Sequence, residues 1–176
     1  MEIRDAYKFC PRCGAQGKSD DYRLSCPGCG LSTYFSPKPV QEIVLENAAG
    51  EILLCVRAAD PGKGLLDFPG GFVEPDETFE ESVRREVKEE LGIDIDVNDF
   101  EYLSSSFNKY PYQGIDYPVV GTSFLAKLPA GAKIRPGDDV ADVEFYKLED
   151  VPMDRLAWPP DVELIKLLKK RKSKRH

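Results

Sequence analysis

The segment Gly71–Ile93 (GFVEPDETFEESVRREVKEELGI) restricts the fold more than any other part of this chain. It spells out a helix with both ends specified. Thr78 followed three residues later by Glu81 fits a capping box, Pro75-Asp76 marks the turn before it, and Gly92 after Leu91 suits a left-handed C-terminal cap. At about 100° per residue with Glu86 set to zero, Phe79, Val83, Val87 and Leu91 fall between about 20° and 140°. That is a core-facing stripe, so the helix must pack on a second layer. Glu81, Arg84 and Lys88 fall at about 160–220°, where a solvated face belongs.

Three carboxylates complicate this helix. Glu86, Glu89 and Glu90 stand at i, i+3 and i+4, and like charges so placed repel by roughly 0.2–0.5 kcal/mol per pair. Glu86 and Glu90 also lie beside or within the apolar stripe, where an unpaired charge is costly. A divalent cation between them is the natural counter-charge; an acidic helix with one ragged edge is the plainer reading. Upstream, Phe68-Pro69-Gly70-Gly71 is a loop whose glycines let backbone carbonyls come close to a ligand. Carbonyl oxygen with carboxylates is hard-ligand chemistry and suits magnesium or manganese.

Gly71, five residues, Glu77, seven residues, Arg85-Glu86-Val87, one residue, Glu89-Glu90, one residue and Gly92-Ile93 resemble the Nudix box at every defined position. The resemblance implies an α/β fold, a Nudix-type α/β/α sandwich with a mixed sheet. It also implies hydrolysis of a nucleoside diphosphate linked to another moiety. In that scheme Glu86 and Glu90 are the principal ligands of the catalytic magnesium or manganese, and Glu89 contributes directly or through water. A carbonyl of Gly70 or Gly71 completes the site, and Glu77 and Arg85 orient loop and helix as an ion pair. Two or three ions would neutralise the pyrophosphate and activate the attacking water.

The only histidine is His176, so a Ser–His or Cys–His nucleophile lacks a base, and a carboxylate is expected in that role. Candidates outside the helix are Asp116, Asp138, Asp139 and Glu144.

Cys10-Pro-Arg-Cys13 and Cys26-Pro-Gly-Cys29 are two CxxC knuckles twelve residues apart, each followed by glycine. Four thiolates at this spacing describe a structural zinc ribbon with no open ligand position. Two disulfides are the competing arrangement, disfavoured because the start, MEIRDAYKF, does not read as a signal peptide. So short a segment has no core of useful size, and the metal must supply folding energy. Cys55, inside the apolar run Ile52–Val56, is expected in the core.

With 176 residues and 41% hydrophobic content, there is room for one full domain and a small appendage. The expected division is a zinc ribbon over 1–36 and a hydrolase domain over 37–176, joined at Ser36-Pro37-Lys38-Pro39. Strands are expected at Val40–Glu46, Glu51–Arg57, near Phe100–Phe107, Tyr117–Leu128 and Val143–Leu148, with a last helix from about Pro160 to Lys172. No apolar run nears the ~20 residues that span a bilayer, and a cytoplasmic protein without a membrane partner is expected.

A net charge of −7 argues against nucleic-acid binding by the whole surface. Lys166, Lys169, Lys170, Arg171, Lys172, Lys174 and Arg175 nevertheless crowd the end of the chain, as a solvated helix end or a phosphate- or RNA-contacting patch.

A zinc ribbon ahead of a Nudix box is similar to the NADH pyrophosphatases. Where these carry Ser-Gln-Pro-Trp-Pro-Phe-Pro-x-Ser, this chain has Ser105-Ser106-Phe107-Asn108-Lys109-Tyr110-Pro111-Tyr112, without the Gln or Trp. The resemblance implies an ADP-linked small-molecule substrate such as ADP-ribose, with NAD(H) as a further member. Phe107, Tyr110, Tyr112 and Tyr117, in a loop punctuated by Pro and Gly, are candidates for stacking the base. They serve equally as a hydrophobic plug or a homodimer contact. A nucleotide-sensing or RNA-contacting module is the alternative function; loss of one of the three glutamates would mark it, and all three are present.

Overall fold

The computed structural model describes residues 1–137 and 139–174. Asp138, Arg175 and His176, singled out above, lie outside the described residues. By compactness the chain forms two units, Met1–Lys38 with Asn108–Val120, and Pro39–Phe107 with the residues from Gly121 onward.

The first unit holds a short helix, α1 (Ile3–Ala6), and three antiparallel strands in the order β1 (Lys18–Ser19), β2 (Arg23–Ser25) and β3 (Ser32–Tyr34). Asp20 turns β1 into β2 by accepting the N–H groups of Tyr22 and Arg23 at 2.8 and 2.9 Å. Its core is small: Leu24, Cys10 and Cys26 are buried, with Ala15, Cys29, Leu31 and Phe35 packed against them.

The second unit is built from β4 (Lys38–Glu46), β5 (Glu51–Arg57), β6 (Leu66–Asp67), β7 (Gly70–Phe72), α2 (Phe79–Leu91), β8 (Glu101–Tyr112) and β9 (Ile115–Lys127) outside their Asn108–Val120 stretch, β10 (Val140–Lys147) and α3 (Pro159–Ser173). The sheet has seven strands, ordered β10-β5-β4-β9-β8, with β6 on β5 and β7 on β4. Asn47 closes the β4–β5 turn by accepting the N–H groups of Ala49 and Glu51. Alternation along these two strands assigns the faces. Ile43, Leu45, Leu53 and Cys55 pack on Val83, Val87 and Leu91 of α2, whereas Val44, Ile52 and Leu54 pack on Leu164, Ile165 and Leu168 of α3. This is the expected α/β/α sandwich. Cys55 is core, and burial with the Glu90, Asp67 and Asp139 charges pushes its thiol well above its ordinary range.

One expectation needs correction. The segment from Phe107 to Tyr117 is not a loop but a hairpin, with β8 running on to Tyr112 and β9 starting at Ile115. Gln113 (φ 47°) and Gly114 (φ 78°) both take the positive φ that a two-residue hairpin turn requires. Pro111 and Pro118, which demote a strand in sequence, are accommodated within it. The hairpin tip is joined to the chain start: the Met1 carbonyl accepts the Asp116 N–H at 2.9 Å, and the Met1 ammonium donates to the Gly114 carbonyl at 3.0 Å. At the basic end Lys166, Lys170, Lys172 and Lys174 are exposed, as a solvated helix end requires, and two surface pairs form there. Arg171 donates to Glu101 and to the Leu103 carbonyl, and Lys172 pairs with Glu149. Among the described residues no helix is long and apolar enough to cross a membrane.

The α2 capping box is present in both directions: the Thr78 N–H donates to Glu81 Oε2 at 2.8 Å, and the Glu81 N–H donates to Thr78 Oγ1 at 3.2 Å. Gly92 closes the helix at φ 69°. Thr78→Ala is expected to lower stability by about 1 kcal/mol, seen as a lower urea midpoint with an unchanged m value.

Candidate metal centres

The three glutamates of α2 differ in environment as the helix wheel requires. Glu90 is buried, Glu86 keeps 12% of its side chain exposed and Glu89 keeps 50%. Facing them is β7, which pairs with β4 through Gln41↔Gly71 and Glu42↔Gly70. The Gly70 N–H donates to Glu90 Oε2 at 3.0 Å. A Cβ on Gly70 would meet the Gln41 carbonyl oxygen at 2.2 Å, a backbone clash without relief. On Gly71 it would meet Glu86 Oε1 at 2.4 Å. Gly70 is therefore demanded by the approach of the β4 backbone, whereas at Gly71 the end of the Glu86 side chain would have to move. Burial, reinforced by the Glu86 charge, pushes the Glu90 carboxyl up to about 9 against the Gly70 hydrogen bond. Without a cation nearby it is neutral at pH 7.

Arg85 organises the rest. Its Nε and Nη2 grip Glu77 at 2.7 and 3.0 Å, Nη1 donates to Glu86 at 2.9 Å and to Glu89 at 3.0 Å, and Nη2 also reaches the Phe72 carbonyl at 3.1 Å. The Glu77–Arg85 ion pair expected from sequence is present, and it holds the Glu77 carboxyl down at about 2. Gly70, Gly71, Glu77, Arg85, Glu86, Glu89 and Glu90 thus come together in one region.

The donor chemistry, all carboxylate and backbone oxygen, fits a hard divalent cation. The carboxylates are not drawn together, however. Among the described residues the four cysteines are the one group whose metal-ligating atoms all lie within 4.8 Å of one another. Arg85 supplies the positive charge between Glu86 and Glu89 instead.

The cysteine knuckles are built alike. In each, the first cysteine's N–H donates at 2.8 Å to a carbonyl five residues on (Ala15, Leu31), and its own carbonyl accepts at 3.0 Å from the glycine after the second cysteine (Gly14, Gly30). Those glycines take φ of 73° and 75°. Sulfur–sulfur separations of 3.7 Å (Cys10–Cys29) and 3.5 Å (Cys13–Cys26) approach the ~3.8 Å edge of a tetrahedron with ~2.3 Å Zn–S bonds. The donor set fits zinc.

The candidate bases separate. Glu144 is held by Arg155 through two bonds of 3.0 Å and by the Tyr146 hydroxyl, which keeps its carboxyl below the usual range. Asp116 pairs with the Met1 ammonium. Asp139 is the one whose charge acts on Glu90. Of the aromatic candidates, Phe107 and Tyr112 are exposed, and Tyr110 stacks on Tyr112 with centroids 6.4 Å apart. Tyr110, Tyr112 and Tyr117 fall in the first unit, Phe107 in the second.

Sequence reasoning missed a second acidic group, on the α3 face of the sheet. Glu42 accepts from the Ser123 hydroxyl at 2.6 Å, Asp67 accepts from Arg57 at 2.7 Å and from the Trp158 indole N–H at 2.9 Å, and Asp161 caps the Trp158 N–H at 3.2 Å. Burial raises all three carboxyls, Glu42 to about 7. They come from β4, β6 and α3, and only Asp161, at the start of a helix after two prolines, carried a local signal.

The NUDIX domain family model matches residues 37–168. The chain is 31% identical over 147 residues to the NAD-capped RNA hydrolase NudC of Pseudomonas aeruginosa, covering 82% of this chain and 49% of that protein. It is 34% identical over 119 residues to the ADP-ribose pyrophosphatase of Methanocaldococcus jannaschii, covering 68% and 67% respectively. The crystal structure of a NUDIX hydrolase from Nitrosomonas europaea superposes with a TM-score of 0.66 at 25% identity, over 91% of each chain. The chain spans about half the length of the NudC proteins it matches.

Two outcomes are expected. The folded Glu90 carboxyl holds its proton up to about pH 9, while the unfolded chain releases it near 4.5. Its stabilising contribution is therefore full below pH 4.5 and is lost as pH rises through 9. Urea midpoints without added magnesium should fall less steeply with pH in Glu90→Gln than in the parent; parallel slopes would contradict the assignment. Removal of zinc by a strong chelator should unfold the cysteine unit, seen as lost near-ultraviolet dichroism and amide protection over residues 8–35; an intact unit after complete removal would refute the four-thiolate site.

Proposed function

The chain belongs to the Nudix family, and on that premise we propose that it is a divalent-metal-dependent pyrophosphohydrolase of ADP-linked substrates, ADP-ribose foremost and NAD(H) among them. The observation that carries this reading is the placement of Glu86, Glu89 and Glu90 along one edge of α2 beside Gly70-Gly71, with the buried Glu90 carboxyl hydrogen-bonded to the Gly70 N–H. The names of the relatives support the substrate class, since NAD and ADP-ribose share an AMP unit in diphosphate linkage.

Glu86, Glu90 and Glu89, with a carbonyl of Gly70 or Gly71, would hold magnesium or manganese. When bound, the ion neutralises pyrophosphate charge and acidifies water. The chain's own groups do the rest. Glu90 would serve the ion as the carboxylate, and Arg85 would stay on Glu77 while leaving Glu86 and Glu89 to it. Water attacks one phosphorus, the bridging P–O bond breaks, and AMP and a second phosphate product leave. The water's proton passes to a carboxylate, for which Asp139 is the candidate nearest in effect to Glu90. Positioning and electrostatics, not a covalent enzyme intermediate, carry the reaction.

We assign residues 1–36 to a structural zinc ribbon and 37–176 to the hydrolase domain, a division supported by the start of the family match at residue 37. Five cysteines free of disulfides suit a reducing, cytoplasmic setting. Phe107, Tyr110, Tyr112 and Tyr117 remain our candidates for base stacking.

The test is a magnesium-supplemented panel of ADP-ribose, NADH, NAD, diadenosine polyphosphates, sugar nucleotides and nucleoside triphosphates with product identification. AMP release from ADP-ribose or NADH is expected, lowered about 100-fold or more in Glu90→Gln. No turnover of any member, or undiminished turnover by the variant, would overturn the proposal.

A further inference from the structure

Ser82 is fully buried on α2, and its hydroxyl has three partners. Gln41 Nε2 donates to it at 3.1 Å and Arg85 Nη2 at 3.3 Å, while the hydroxyl itself reaches the Phe72 carbonyl at 3.5 Å. A serine hydroxyl has one proton to give and two lone pairs to receive, so this arrangement uses all of them. The result is a bracket on the Nη2 corner of the guanidinium. The Nη1 corner holds Glu86 and Glu89.

Gln41 is buried beside the Gly71 end of β7, and its Oε1 has no hydrogen-bond partner among the described residues. A buried acceptor left unpaired costs stability, and an apolar side chain of the same length would avoid that cost. What glutamine adds over such a side chain is the Nε2–H on Ser82.

We propose that Gln41 is a positioning residue for the metal centre: through Ser82 it keeps Arg85 seated on Glu77 and the Phe72 carbonyl, so that Glu86 and Glu89 can pass to a divalent cation. The inference rests on the reading of Glu86, Glu89 and Glu90 as metal ligands. A single nitrogen, Nη1, now serves both Glu86 and Glu89, and an arriving cation takes over both bonds. The guanidinium then needs its other anchors, which are Glu77 and the Ser82 bracket. With the bracket loosened, Arg85 stays in competition for the two carboxylates, and the cation binds more weakly.

Manganese binding, followed by the electron paramagnetic resonance of free Mn²⁺, tests this on the whole chain and on Gln41→Met, Ser82→Ala and Glu90→Gln. Gln41→Met and Ser82→Ala are expected to bind Mn²⁺ about tenfold more weakly. The thermal midpoint of Gln41→Met should stay at or above that of the parent, because the orphaned oxygen is gone. Its kcat should be low at limiting Mn²⁺ and recover at saturation, with the KM for ADP-ribose unmoved. If Glu90→Gln weakens Mn²⁺ binding while both bracket variants bind like the parent, the bracket is refuted and the metal-site reading stands. If the parent binds no Mn²⁺, or Glu90→Gln binds it unchanged, the metal-site reading fails and the positioning role falls with it.

Discussion

The hydrogen bond from the Gly70 N–H to the buried Glu90 carboxyl is the contact on which the functional region depends. It ties the short strand β7 to α2, a helix capped at both ends. Forming it brings the Gly70 backbone against β4 so closely that no side chain fits there. It also buries an acid, and burial raises the carboxyl pKa far enough to keep the proton in place at neutral pH. Packing, capping and this hydrogen bond hold the carboxyl in place without a charge partner inside the fold. The cost of placing a charge inside is avoided while the carboxyl stays protonated.

Arg85 performs the complementary task. Like charges at i, i+3 and i+4 would fray a helix edge, and a guanidinium with five N–H groups satisfies Glu77, Glu86 and Glu89 together. Lysine, a single point charge, would not span the three. The same residue therefore supports the helix edge and, on the proposed function, would share its carboxylates with a cation. The cysteine centre has no such device. Its four sulfurs lie within 4.8 Å of one another, and two of their separations approach the edge of a zinc tetrahedron.

What could be read in the sequence was what is encoded locally. Thr78, Glu81 and Gly92 mark the ends of α2 within one turn of the residues they cap, and the wheel separates Glu90 from Glu89 without further knowledge. The strands β4 and β5 alternate or run apolar long enough to be recognised, and the CxxC spacing is its own signal. The failures are long-range. The strands β6 and β7, two and three residues long, exist only because β5 and β4 are there to pair with. The hairpin of β8 and β9 turns on Gln113-Gly114, a weaker turn signal than Asn-Gly, with prolines on both sides. Glu42, Asp67 and Asp161 come from three separate segments, and nothing in any one of them announces the other two.

The strand β4 gives those separate observations one physical origin. Side chains alternate across a sheet, so Gln41 and Glu42, neighbours in sequence, leave on opposite faces. Gln41 meets Ser82 under α2, and Glu42 meets Ser123 and Asp161 of α3. Both residues pair through their backbones with Gly71 and Gly70, the glycines that receive Glu86 and Glu90. A one-residue slip of β4 against β7 would exchange the two polar networks and place a carboxylate where Ser82 needs an N–H donor. The register of this short pairing is thus held from both faces at once, by an amide on one side and a buried carboxyl on the other. Substitutions at position 42 should on this logic disturb α2 as well as α3, although Glu42 faces only the latter.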